Sequence, residues 1–108
     1  MYILQPKLII MDLGLKDKII IVTGGAKGIG EGIAKLLAAE GAVAVIVGRN
    51  EADNHKTVAA IEAGGGKAFA VKAELSKPEE CERAVKVVVE KFNRIDGLVN
   101  NAGVNDGI

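Results

Sequence analysis

Aromatic residues are scarce: the chain has no tryptophan, one tyrosine and two phenylalanines among 108 residues, which excludes a base-stacking platform. Cysteine occurs once, at Cys81, so no internal disulfide can form, and the chain reads as a protein of a reducing, cytoplasmic compartment rather than a stapled secreted scaffold. An excess of one charge is also lacking. Fourteen lysines and arginines balance 14 aspartates and glutamates, which argues against a nucleic-acid face. No apolar run approaches the length of a membrane span, and the start lacks the basic region and cleavage site of a signal peptide. The one histidine, His55, has no second ligand close in sequence and reads as a solvated surface residue, so no metal site is expected.

What the chain has in quantity is glycine, 14 residues, and the informative ones lie in T-G-G-A-K-G-I-G, Thr23 to Gly30. This stretch sits between the apolar run Ile19, Ile20, Ile21, Val22 and a helical pattern starting near Ile29. Strand, glycine turn and helix together make a phosphate cradle. A diphosphate needs unpaired N–H donors without Cβ atoms in the way, which glycines at Gly24, Gly28 and Gly30 provide. The first turn of a helix adds free N–H groups and a partial positive charge. The P-loop pattern fails, because Gly25 and Gly30 are followed by Glu31 where a lysine is required. The strict G-x-G-x-x-G fingerprint fails too, since its third glycine would fall at Ile33.

The length allows one domain, burying about two thirds of its unfolded surface. Residues 1–10, interrupted by Pro6, read as a dispensable N-terminal extension, with an edge strand or dimer contact as the alternative. Residues 11–108 read as a run of alternating strands and helices. Strands are expected at 18–23, 43–47, 67–72 and 96–100. Helices are expected at about 28–40, 51–63 and 78–93. The first carries a stripe of Ile29, Ile33, Leu36 and Leu37, ended by Gly41, and the second is capped by Asn50. The third opens with a Ser76–Glu79 capping box, with Pro78 at the first helical position, and has a stripe of Cys81, Ala84, Val85, Val88 and Phe92. Cys81 is accordingly read as a buried small hydrophobe rather than a nucleophile. This alternation predicts an α/β fold: a doubly wound parallel sheet of the Rossmann type, about four strands in the order 3-2-1-4. The switch point between strands 1 and 4 is where such sheets bind ligands.

The glycine stretch, together with N-N-A-G at Asn100 to Gly103, resembles the short-chain dehydrogenase/reductase family over about residues 11–107. The resemblance implies that Gly24, Gly28 and Gly30 hold a pyrophosphate, with Ile29 offering its backbone N–H. It implies that Asn100, Asn101, Ala102 and Gly103 line the cofactor and support the sheet. Glu74 stands where the family usually has an aspartate accepting from the adenine amino group, and Leu75 would wall the ring; a solvated carboxylate is the plain alternative for Glu74. At the end of strand 2 a ribose diol calls for a carboxylate, and a 2′-phosphate calls for a cation. The chain has Gly48 there, followed by Arg49, with Lys27 before the second glycine. Basic residues at these positions go with NADP in the family, so NADP is expected over NAD, although NAD remains possible. The plain alternatives are a guanidinium that caps carbonyls and an exposed loop lysine.

The tail L-V-N-N-A-G-V-N-D-G-I is similar to sugar dehydrogenases of the L-fucose type within the family. Asn105 and Asp106 would then border a polyol, or else form a plain turn. The family's catalytic serine, tyrosine and lysine lie beyond the fourth strand, and the chain's only tyrosine is Tyr2. No catalytic residue is therefore assigned. The expectation is the cofactor-binding half of an NAD(P)-dependent oxidoreductase, inactive alone, acting on an alcohol, carbonyl or sugar in the complete protein. With the edge of its fourth strand exposed, it is expected to be marginally stable, aggregation-prone or dimerised through that edge, and the protein is expected to be a homo-oligomer. The alternative is a nucleotide-binding module or assembly partner without activity.

Overall fold

In the computed structural model, residues 14–101 are described. The expectations for residues 1–10, and for Ala102, Gly103, Asn105 and Asp106, lie outside them. The elements are β1 (Ile19–Thr23), α1 (Gly28–Ala39), β2 (Val43–Gly48), α2 (Glu51–Ala63), β3 (Lys67–Lys72), α3 (Pro78–Phe92) and β4 (Gly97–Asn100). All strand pairs are parallel, and the order is β3-β2-β1-β4. This is the doubly wound arrangement that the alternating pattern predicts.

β1 is a run of β-branched residues, and every one of them is buried, as expected for a strand covered on both faces. Its side chains divide by alternation. Ile20 and Val22 join Ala34, Leu37 and Ala38 of α1 and Ile61 of α2; Ile19 and Ile21 join Ala84 and Val88 of α3. Two helices therefore cover one face and one covers the other. Ile46 on β2 is fully buried on the α1/α2 side, and Ile46→Ala would cost about 2–5 kcal/mol by leaving a cavity there.

The helix ends follow local chemistry. The Asn50 side chain accepts from the Asp53 N–H at 3.0 Å and caps α2. After α1 the chain turns at Gly41, with φ of +94°, and α3 closes on Asn93 in the left-handed region, φ 64°. Three sequence expectations are corrected. Ser76 does not cap α3: the N-cap is Lys77, with Pro78 as the first helical residue, and no side chain caps that end. The Ser76 hydroxyl instead donates to Glu74 Oε2 at 3.0 Å. Ile29 is 77% exposed, because it sits in the first turn of α1, beyond the end of the sheet. Val85 is also exposed, and Cys81 only half-buried; α3 meets the sheet through Ala84 and Val88, so its buried stripe is narrower than expected.

The registers align the carboxyl ends of the strands. Thr23 is level with Val47 and Asn100, and Gly48 is level with Lys72. The turns carrying the motifs thus emerge at one end of the sheet.

Candidate functional site

The glycine turn leaves β1 at Thr23 and enters α1 at Gly28. Gly24 and Gly28 have positive φ, +67° and +57°, a conformation that costs other L-residues about 1–2 kcal/mol. Gly30 is required for a different reason: a Cβ there would lie 2.1 Å from the Gly24 carbonyl oxygen. Its role is to let the helix start close against the turn. A Cβ at Gly28 would meet nothing within 4 Å, so that position faces open space at the mouth of the site.

The first intrahelical bond of α1 is Glu31 N–H to the Lys27 carbonyl at 3.2 Å, and no side chain caps the helix. Among the described residues, the N–H groups of Gly28, Ile29 and Gly30 have no hydrogen-bond partner. A cradle of unpaired donors, open where a Cβ would intrude, fits a phosphate group.

The turn is held from three sides. Its own N–H, at Gly24, donates to the Val47 carbonyl at 2.9 Å. Thr57 of α2 donates its hydroxyl to the Ala26 carbonyl at 3.2 Å. From β4, the Asn101 N–H donates to Thr23 Oγ1 at 2.9 Å, the Thr23 hydroxyl donates to Asn100 Oδ1 at 3.0 Å, and the Asn101 amide reaches the Gly24 carbonyl at 3.4 Å. The two sequence motifs are therefore one hydrogen-bonded unit. Thr23 and Thr57 are residues that the sequence reading did not assign. The threonine that begins the glycine stretch was a visible signal, but Thr57 looked like any polar residue on a helix.

The second part of the site lies at the ends of β2 and β3. A cleft of ≈ 310 Å³ is lined by Arg49, Lys72, Ala73, Glu74, Glu80 and Arg83. Arg49 Nη1 stands 4.0 Å from Glu74 Oε1, with the guanidinium largely exposed. The loop carrying Glu74 is braced from α3. Glu80 accepts from the Glu74 N–H at 3.2 Å and from Arg83 at 3.0 Å, and Arg83 also donates to the Lys72 carbonyl. The Arg83 hydrogen bond, followed by the Glu74 N–H, holds the Glu80 carboxyl down to about 2. Lys27, exposed beside the glycine turn, pairs with Asp53 at 3.2 Å. Leu75 is half-buried against the core under α3 and does not line the cleft.

Asn54 was also missed. It is buried, its Nδ2 donates to the Gly48 carbonyl at 3.0 Å, and its Oδ1 has no partner among the described residues. A Cβ on Gly48 would lie 2.8 Å from that oxygen. The end of β2 therefore has no room for a side chain while Asn54 stands as it does. His55 is exposed. Among the described residues, no group of three His, Cys, Asp or Glu side chains could hold a metal, and no helix is long and apolar enough to cross a membrane.

The family profile described as short chain dehydrogenase matches residues 18–107. The chain belongs to the short-chain dehydrogenase family. It is 45% identical over 91 residues to an uncharacterised oxidoreductase of Methylorubrum extorquens, covering 83% of this chain and 37% of that protein. Among solved structures it is similar to L-sorbose reductase from Gluconobacter frateurii complexed with NADPH and L-sorbose. There the TM-score is 0.84 at 34% identity, over 89% of this chain and 37% of the other. It also resembles an NADH-dependent reductase complexed with NAD, with TM-score 0.79 at 38% identity, over 87% of this chain and 39% of that one. The chain thus spans little more than a third of the length of each of these short-chain dehydrogenase relatives. The Rossmann-type parallel sheet is the fold that this chain shares with these solved structures.

Proposed function

We propose that this chain binds the adenine and diphosphate end of a nicotinamide dinucleotide, and that it serves an NAD(P)-dependent oxidoreductase acting on an alcohol, carbonyl or sugar. The observation that carries this reading is the glycine turn, with its unpaired N–H groups at Gly28, Ile29 and Gly30, bonded through Thr23 to Asn100 and Asn101. Gly24, Gly28, Ile29 and Gly30 would hold the pyrophosphate. Asn100 and Asn101 keep the turn in place, with Ala102 and Gly103 following them. The cleft beside Arg49 and Glu74 would take the adenosine, with Leu75 behind its loop. When bound, the dinucleotide supplies the hydride chemistry; the residues of this chain orient it.

NADP is the preferred cofactor in this reading. The end of β2 offers no carboxylate for a ribose diol, because the residue there is Gly48, with Asn54 packed against it, and Arg49 follows it with an exposed guanidinium. Lys27 adds a second exposed cation by the glycine turn. A doubly charged 2′-phosphate is attracted to such a site and would be repelled by an acidic one. The relatives include one complex with NADPH and one with NAD, so the preference is argued from this chain's own charges. The expected partners are the dinucleotide, a small substrate and further copies of the chain.

Calorimetry tests the reading. Arg49→Asp is expected to weaken NADPH binding about 10- to 100-fold, the loss of one or two charge-assisted hydrogen bonds, and to change NADH binding much less. Equal losses for both cofactors would overturn the NADP assignment. The chain is expected to bind NADPH without oxidising it in the presence of a carbonyl substrate, because it has one tyrosine, Tyr2, and no Y-x-x-x-K to donate the proton.

A further inference from the structure

Arg49 and Glu74 face each other across the cleft at the ends of β2 and β3, Nη1 to Oε1 at 4.0 Å. The second carboxylate oxygen of Glu74 accepts from the Ser76 hydroxyl at 3.0 Å. Its backbone N–H is fixed by Glu80 at 3.2 Å, and Glu80 is held in turn by Arg83. The loop carrying Glu74 is thus braced from the first turn of α3, while its carboxylate has one oxygen engaged by Ser76 and the other 4.0 Å from the Arg49 guanidinium. An adenine amino group would have to compete for both oxygens.

We propose that Glu74 is a specificity-determining residue, an internal competitor for Arg49 that lowers the advantage of a 2′-phosphorylated dinucleotide over one with a free ribose diol. The inference rests on the dinucleotide reading given above. A carboxylate close to a guanidinium neutralises part of its field in the cleft. A phosphate entering the cleft must displace the carboxylate from Arg49 and then lie beside it, like charge against like. A ligand with a 2′-hydroxyl meets neither cost. Glutamate suits this role because its extra methylene, relative to aspartate, carries the charge out toward Arg49. In such a site one residue sets the cation and another tempers it, and the balance between them decides how strongly the two cofactors are told apart.

The test uses 2′,5′-ADP and 5′-AMP as probes, titrated calorimetrically into the full chain at low salt. Glu74→Gln is expected to raise the ratio of 2′,5′-ADP affinity to 5′-AMP affinity about two- to fivefold, the size of an exposed pair's coupling. The gain is expected to disappear when Arg49→Gln is present as well. A ratio that stays constant or falls on Glu74→Gln overturns the proposal, as does a gain that persists undiminished in the Arg49→Gln background. An adenine-accepting role would show instead as a parallel loss for both probes, which leaves the ratio constant. If the unaltered chain binds neither probe, the dinucleotide reading fails and takes the proposal with it. That outcome is distinct from a chain that binds both probes with a ratio indifferent to Glu74.

Discussion

The hydroxyl of Thr23, at the end of β1, donates to Asn100 Oδ1 at 3.0 Å and accepts from the Asn101 N–H at 2.9 Å. One side chain thereby joins the strand that feeds the glycine turn to the strand whose end carries the second motif.

Thr23→Val keeps the shape of the side chain but removes the hydroxyl, leaving the Asn101 N–H without its acceptor in a half-buried position. The expected cost is about 1–3 kcal/mol of stability, read as a fall in the urea midpoint, together with weaker NADPH binding. Thr23→Ser keeps the hydroxyl and is expected to retain most of both. A larger loss in Thr23→Ser than in Thr23→Val would show that the methyl, not the hydroxyl, matters.

The glycines of the turn are expected to separate into two kinds. In Gly30→Ala the new Cβ would overlap the Gly24 carbonyl, 2.1 Å away, and the helix must shift; a loss of about 3 kcal/mol is expected, as for overpacking against an unyielding neighbour. In Gly28→Ala the Cβ meets nothing within 4 Å, and the stability cost is that of the positive φ alone, about 1–2 kcal/mol. Dinucleotide affinity should nevertheless fall at least about tenfold, because the methyl occupies the approach of the diphosphate to the backbone. Unfolding curves and calorimetry on the same two proteins separate the effects.

Converting the site toward NAD requires two changes. Gly48→Asp introduces the carboxylate that a ribose diol calls for, but its Cβ would be 2.8 Å from Asn54 Oδ1, so the single variant is expected to lose stability with little gain in NADH affinity. Adding Asn54→Ala makes room for it and removes an unpaired buried oxygen. The double variant is expected to be the more stable of the two and to bind NADH more tightly than the unaltered chain. Thermal melts and NADH titrations decide between these outcomes.

Acid sensitivity follows from Glu80. Its carboxyl is lowered from 4.5 to about 2, chiefly by the Arg83 hydrogen bond. A group whose folded pKa is depressed contributes stability above its unfolded value and loses it as pH falls through the folded one. The contribution is therefore fully present above about 4.5 and fades toward about 2. Glu80→Gln is expected to be less stable than the parent at neutral pH, with the gap closing over that interval. Urea midpoints at stepped pH check this, and a gap that widens on acidification would contradict it.

The sequence by itself determined the sheet. Five consecutive β-branched residues in β1 can only be buried on both faces, and strands alternating with helices lead to parallel pairing in the observed order. The glycine turn and the cap at Asn50 were equally legible, because each depends on neighbours within a few residues. Less legible were the ends of stripes: periodicity marks a helix face, but not where the sheet beneath it stops, so Ile29 and Val85 were placed inside and are exposed. Ser76 matched a local capping pattern and was drawn instead to Glu74. Only the tertiary structure decided what surrounds the turn. Thr23 and Asn101 are 78 positions apart, Thr57 reaches Ala26 from α2, 31 positions away, and Asn54 excludes a side chain at Gly48. The opposition of Arg49 and Glu74 exists because β2 and β3 end side by side. No local pattern encodes such contacts, since they arise when the parallel register brings strand ends level and the loops beyond them meet.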